Sequence, residues 1–114
     1  MRSMFYNCNS LTSLDVSNFN THNVINMFMM FCGCSSLTSF EIPNFNNHNA
    51  IDMRGMFTAC SSLKSLDLSY FGTQNVLNMT SMFSNCKSLK SLDLKLIIKN
   101  NLKTYIPWKW LFEY

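Results

Sequence analysis

Four short stretches of the sequence set a carboxylate among hydroxyls at a constant separation. Ser13-Asp15-Ser17, Ser39-Glu41-Pro43, Ser65-Asp67-Ser69 and Ser91-Asp93-Lys95 follow one another every 26 residues. A row of oxygen-rich side chains suits a basic partner, or a cation such as Ca²⁺ that prefers oxygen ligands. On neighbouring strands the like charges would lie about 5 Å apart and repel, so serine hydroxyls and water must also satisfy them. The candidate partner-binding surface is therefore Asp15, Glu41, Asp67 and Asp93, with Ser13, Ser65, Ser69 and Ser91.

The other chemistry-bearing residues point away from catalysis. Four of the five cysteines, Cys8, Cys34, Cys60 and Cys86, share one repeat position, a spacing that suits stacking rather than a tetrahedral metal site. Cys32 falls outside that column and is the best candidate for an exposed, reactive thiol. His22 and His48 also share a position, later held by Gln74 and Asn100, with no third ligand type recurring beside them. Every polar candidate has copies in the other repeats, whereas a catalytic centre is singular and asymmetric. The expectation is a non-enzyme with no cofactor and no metal.

Such a row needs a repeating scaffold, and the apolar residues supply its pattern. Met4-Phe5 returns as Met30-Phe31, Met56-Phe57 and Met82-Phe83, and Leu11 returns as Leu37, Leu63 and Leu89. A fixed period in this range marks a stacked-repeat protein. Leu66 and Leu68 alternate with Ser65, Asp67 and Ser69, the signature of a half-buried strand. Met79, Met82, Phe83 and Cys86 fall at i, i+3, i+4 and i+7, one face of a short helix, with Asn78, Asp52 and Asn26 as N-caps. Asn23, Asn49, Asn75 and Asn101 form a further ladder, expected to bond loop backbone. The fold class expected is α/β, a leucine-rich-repeat solenoid of about four 26-residue strand-loop-short-helix units with a parallel sheet on one side.

The longer phrase running from Met56-Phe57 through Leu63, Leu66, Asp67 and Leu68 to Phe71, Asn75-Val76 and Asn78-Met79 carries a resemblance. It is similar to the repeats of BspA-like surface proteins of mycoplasmas, other bacteria and some protists. What the resemblance implies is a cell-surface or secreted protein whose repeats mediate adhesion or contact with a protein or host-surface ligand. The family brings no catalytic residues with it.

The repeats occupy residues 1–94, and residues 95–114 read as a degenerate C-terminal capping unit that keeps phase. In that alignment Trp108 takes the place of Met82 and Phe112 that of Cys86, while Trp110 is left as an exposed, adhesive aromatic. Met4, Phe5 and Leu11 at the other end should form an open apolar edge, through which the chain could self-associate. The segment 1–8 has no apolar h-region, so no signal peptide is expected, and a cytoplasmic location is the alternative. No apolar run is long enough to span a bilayer. With 114 residues, 47% hydrophobic and only 13% charged, the chain suits one small folded domain rather than a disordered one. Lysines concentrate after residue 63, but a net charge of +3 with scarce arginine argues against a nucleic-acid partner.

Overall fold

The segments expected to be helices are built from another hydrogen-bond pattern. The computed structural model describes residues 1–42, 45, 47–90, 92 and 108–112, without the side chain of Trp108. In residues 27–34 alternate amides leave the segment altogether. Met27 donates to the Asp52 carbonyl at 2.8 Å, Met29 to Arg54 at 2.9 Å, Phe31 to Met56 at 2.9 Å and Gly33 to Thr58 at 2.8 Å. The amides between them close tight turns, Met30 onto Met27, Cys32 onto Met29 and Cys34 onto Phe31, each at 3.2 Å. Residues 53–60 repeat the arrangement against 78–84. A helix would keep those amides for its own carbonyls four residues back, so no α-helix forms among the described residues.

The backbone angles follow from this choice. Met29, Gly55 and Ser81 share one repeat position, Gly33, Ala59 and Asn85 another, and all six have positive φ. Gly33 and Ala59 are the third residues of the turns that Cys34 and Cys60 close, where a type II turn requires a positive φ. A left-handed L-residue costs roughly 1–2 kcal/mol. In residues 27–34 only Met29 incurs that cost, because Gly33 has no Cβ. Four lateral bonds, each contributing about 0.5–1.5 kcal/mol, outweigh it.

The expected N-caps start turns instead. Asn26 Oδ1 accepts the Phe28 amide at 2.9 Å, Asp52 Oδ1 that of Arg54 at 3.1 Å and Asn78 Oδ1 that of Thr80 at 2.9 Å. This bond to the amide two residues on is an Asx turn. The same three residues pair across units as parallel bridges, Asn26 with Asp52 and Asp52 with Asn78.

The sheet is likewise smaller than expected. Among the described residues it consists of β1 (Ser39–Phe40) and β2 (Ser65–Leu66), parallel, with Ser39 opposite Ser65 and Phe40 opposite Leu66. Its brevity has a local cause after β2, where the Ser69 amide bonds Asp67 Oδ1 at 2.8 Å and is lost to any ladder. Asp15 takes the Ser17 amide in the same way at 2.9 Å. The leucine-rich-repeat solenoid expected from the spacing, with helices along one side and a sheet of several strands along the other, is therefore not what forms. The molecule is a body of 36 × 30 × 21 Å with two two-residue strands and, at Trp108–Leu111, one 3₁₀ turn among the described residues.

A column of aromatic rings runs through a core otherwise filled mainly by Met, Leu, Val, Ile and Cys side chains. Phe5 stacks on Phe31 at 5.5 Å, Phe31 on Phe57 at 5.5 Å and Phe57 on Phe83 at 5.8 Å, with interplanar angles of 12° or less. Phe40 meets Phe31 edge-on at 4.8 Å, and Phe45 stacks on Phe71 at 6.2 Å. Each such pair contributes about 0.5–1.5 kcal/mol beyond area burial. Phe112 continues the column at 6.1 Å from Phe83.

The C-terminal alignment expected from the sequence slips. The Ser81 amide donates to the Trp110 carbonyl and the Phe83 amide to that of Leu111, both at 2.7 Å. The equivalent Gly55 and Phe57 amides reach residues 25 positions on, Thr80 and Met82, so kept phase would have selected residues 106 and 108. Leu111, fully buried, is the core residue of this segment, and Phe112 packs on Phe83 rather than filling the place of Cys86. At the N-terminal end Met4 is exposed, while Phe5 and Leu11 are half-buried.

Candidate functional site

The outward side of β1 and β2 gathers the hydroxyls and carboxylates. Leu66 and Leu68 turn inward, so Ser65, Asp67 and Ser69 between them are exposed. Phe40 and Ile42 likewise leave Ser39 and Glu41 outside, and Ser13 and Asp15 are exposed in the preceding unit. Asp93 and Ser91 lie outside the described residues. Trp110 is exposed on the C-terminal 3₁₀ turn and lines neither of the depressions described next.

Two open depressions mark this surface, and Glu41 borders both. The larger, about 370 Å³, is lined by Ser13, Leu14, Asp15, Ser17, Ser39 and Glu41. The smaller, about 120 Å³, is lined by Glu41, Ile42, Asp67 and Tyr70. Among the described residues, three carboxylates and no basic side chain line the pair. The Ser17 hydroxyl and amide hold the Asp15 carboxyl below its ordinary pKa, and those of Ser69 do the same for Asp67. Both Ser69 donors go to Oδ1 of Asp67, leaving Oδ2 without a bond among the described residues. The arrangement can accept hydrogen bonds and attract positive charge.

The family model described as mycoplasma proteins of unknown function, DUF285, matches residues 1–104. This chain belongs to the DUF285 family. No curated protein and no solved structure matches it.

The remaining candidates of this DUF285 chain are structural. Cys32 is buried, and burial raises its pKa, which removes it as an exposed reactive thiol. All five cysteines are free. Burial pushes Cys34 and Cys86 up to about 11 and raises Cys60 as well. His48 Nδ1 meets Gln74 Nε2, its counterpart in the next unit. Among the described residues no three His, Cys, Asp or Glu side chains come together as a metal site. Asn49 and Asn75 donate from Nδ2 to the His22 and His48 carbonyls at 2.7 and 2.6 Å, so this ladder ties each loop to the one before it.

Sequence reasoning missed three features. Asn47, fully buried, bonds both the amide and the carbonyl of Gly72, at 2.9 and 2.6 Å. Ile25, Ile51 and Leu77 form an exposed aliphatic column whose 26-residue spacing was there to be seen. Tyr70, 70% exposed beside Asp67, has no counterpart in the other units, and a search for repeated residues passes over it. No described helix is long and apolar enough to cross a membrane.

Proposed function

We propose that this chain is a non-catalytic protein-interaction module that docks a basic partner on its carboxylate–hydroxyl face. The observation that supports this reading is the pair of adjoining depressions, which together expose Asp15, Glu41 and Asp67 with no basic side chain in their lining among the described residues. Carboxylates gathered on one face set up a negative field that attracts a cationic partner. The resemblance to BspA-like surface proteins adds an adhesive role at the cell surface, with a protein or host-surface ligand as the partner.

The test is calorimetric titration of the chain with a hexa-lysine peptide at low and at physiological salt. Binding that weakens with salt and disappears in the triple variant Asp15→Asn, Glu41→Gln, Asp67→Asn is expected. That variant should stay folded and melt only slightly lower, since Asn at 15 and 67 can still accept the Ser17 and Ser69 amides. Undiminished binding by the triple variant would overturn the reading.

A second reading has its own observation. Met4 and Tyr6 are each half exposed at the N-terminal edge, and their carbonyls accept no bond among the described residues. Self-association through that edge would appear in light scattering as a mass that rises with concentration, and a constant monomer mass would exclude it.

A further inference from the structure

We propose that the smaller depression, lined by Glu41, Ile42, Asp67 and Tyr70, takes the guanidinium group of an arginine from the docked partner. The inference rests on the docking reading and narrows it from positive charge in general to one side chain.

The molecule already holds a guanidinium this way elsewhere. Arg54 lies over the Phe28 ring, 5.1 Å from its centroid. Its other contact is a two-pronged bond to Asp52, from Nε to Oδ1 at 2.9 Å and from Nη2 to Oδ2 at 2.7 Å. An aromatic face and a carboxylate thus share one guanidinium, a division of labour that its flat, weakly hydrated fork permits and a compact ammonium does not.

The depression brings together the same parts, an aromatic ring and carboxylates. Tyr70 is 70% exposed and its ring stacks on no other ring or cation among the described residues. Among the described residues Asp67 Oδ2 takes no bond, both Ser69 donors going to Oδ1, and Glu41 joins no ion pair. Ile42, itself buried, adds a small apolar edge to the lining. Among the described residues nothing basic lines the site, which leaves its carboxylates available to a guanidinium from a partner.

The experiment compares hexa-arginine and hexa-lysine peptides by calorimetry, with the Tyr70 ring signals followed by NMR. Hexa-arginine should bind about two- to fivefold more tightly and shift the Tyr70 signals, the size of one exposed cation–π contact. Tyr70→Leu should abolish that preference while leaving the melting temperature in place. Equal affinities, or a preference that survives Tyr70→Leu, would overturn the assignment of arginine. Equal affinities that are lost in Glu41→Gln, Asp67→Asn would still leave the docking surface standing. Failure of both peptides to bind would remove the docking reading together with this one.

Discussion

The Cys60 thiol donates to the Phe31 carbonyl oxygen at 3.2 Å, and the Cys34 amide donates to the same oxygen at 3.2 Å. One carbonyl thereby joins its own turn to the unit that follows. The Phe5 carbonyl does the same with the Cys8 amide and the Cys34 thiol, and the Phe57 carbonyl with the Cys60 amide and the Cys86 thiol. Both lone pairs of each oxygen are used. Cysteine fits this position because it is small, apolar enough for the core and able to donate.

These thiols should be chemically quiet and pH-sensitive. Burial keeps Cys34, Cys60 and Cys86 protonated well above the ordinary thiol range, so the folded chain holds protons that the unfolded chain releases. Their contribution is fully present below about pH 9 and is lost as pH rises through the folded values, about 11 for Cys34 and Cys86. Thermal melts should therefore fall in temperature between pH 9 and 11. A disulfide reagent at pH 8 should label these three thiols slowly in the native chain and at once in denaturant. Rapid native labelling of Cys60 would contradict its burial.

Leu66→Ala should cost about 2–5 kcal/mol, since this side chain of β2 is only 6% exposed and its loss leaves a cavity. Leu77→Ala, at a site 57% exposed, should change stability by less than about 0.5 kcal/mol. Urea denaturation of the two variants provides the comparison. A loss below about 1 kcal/mol for Leu66→Ala would mean that the side chain does not fill the core.

Which side chains face inward was legible in the sequence, and how the backbone bonds was not. The alternation at Leu66, Asp67 and Leu68 and the spacing of Met79, Met82 and Phe83 both separate buried residues from exposed ones. That spacing is equally served by a helix and by successive tight turns, because either returns every third or fourth residue to one side. Lateral bonding at Met27, Met29, Phe31 and Gly33 decided between them, and it depends on a neighbouring unit that no local pattern reports. The left-handed Met29 and Ala59 carry no residue-type signal, since neither is Gly or Asn. The slip that brings Leu111 rather than residue 108 to Phe83 was hidden for a similar reason, as Trp108, Leu111 and Phe112 are all apolar enough to fit. The carboxylates of this face were readable from their period, whereas Tyr70 joins them only through the depression it shares with Ile42 and Glu41.

Glycine at the second left-handed position should be required in one unit and welcome in the next. Gly33 has φ of 79°, and a Cβ there would press on Asn7, whose Cα lies at 3.2 Å. Gly33→Ala should cost about 1–3 kcal/mol from backbone strain and this contact together. Ala59 has φ of 59°, so Ala59→Gly relieves strain at some entropic cost and should gain up to about 1 kcal/mol. Chemical denaturation of both variants tests the pair, and a loss of stability in Ala59→Gly would show that the methyl group packs too well to be given up.

The last prediction concerns acid. Burial opposes ionisation of Asp52, but hydrogen bonds from Arg54 and its charge outweigh that and hold the carboxyl below its ordinary value of 3.8. Asp15 and Asp67 are lowered as well, by Ser17 and Ser69. Groups of this kind stabilise the fold above the unfolded pKa, and that contribution is lost as pH falls through the folded values. Melting temperature should therefore drop as pH falls below about 4. Asp52→Asn separates the two roles of this residue, since the amide oxygen can still accept the Arg54 backbone amide while the two-pronged ion pair is gone. The pair is largely exposed on its Arg54 side, so the variant should lose less than about 1 kcal/mol at neutral pH. Its melting temperature should also depend less on pH below 4 than that of the parent chain. An undiminished acid sensitivity would assign the effect to Asp15 and Asp67 instead.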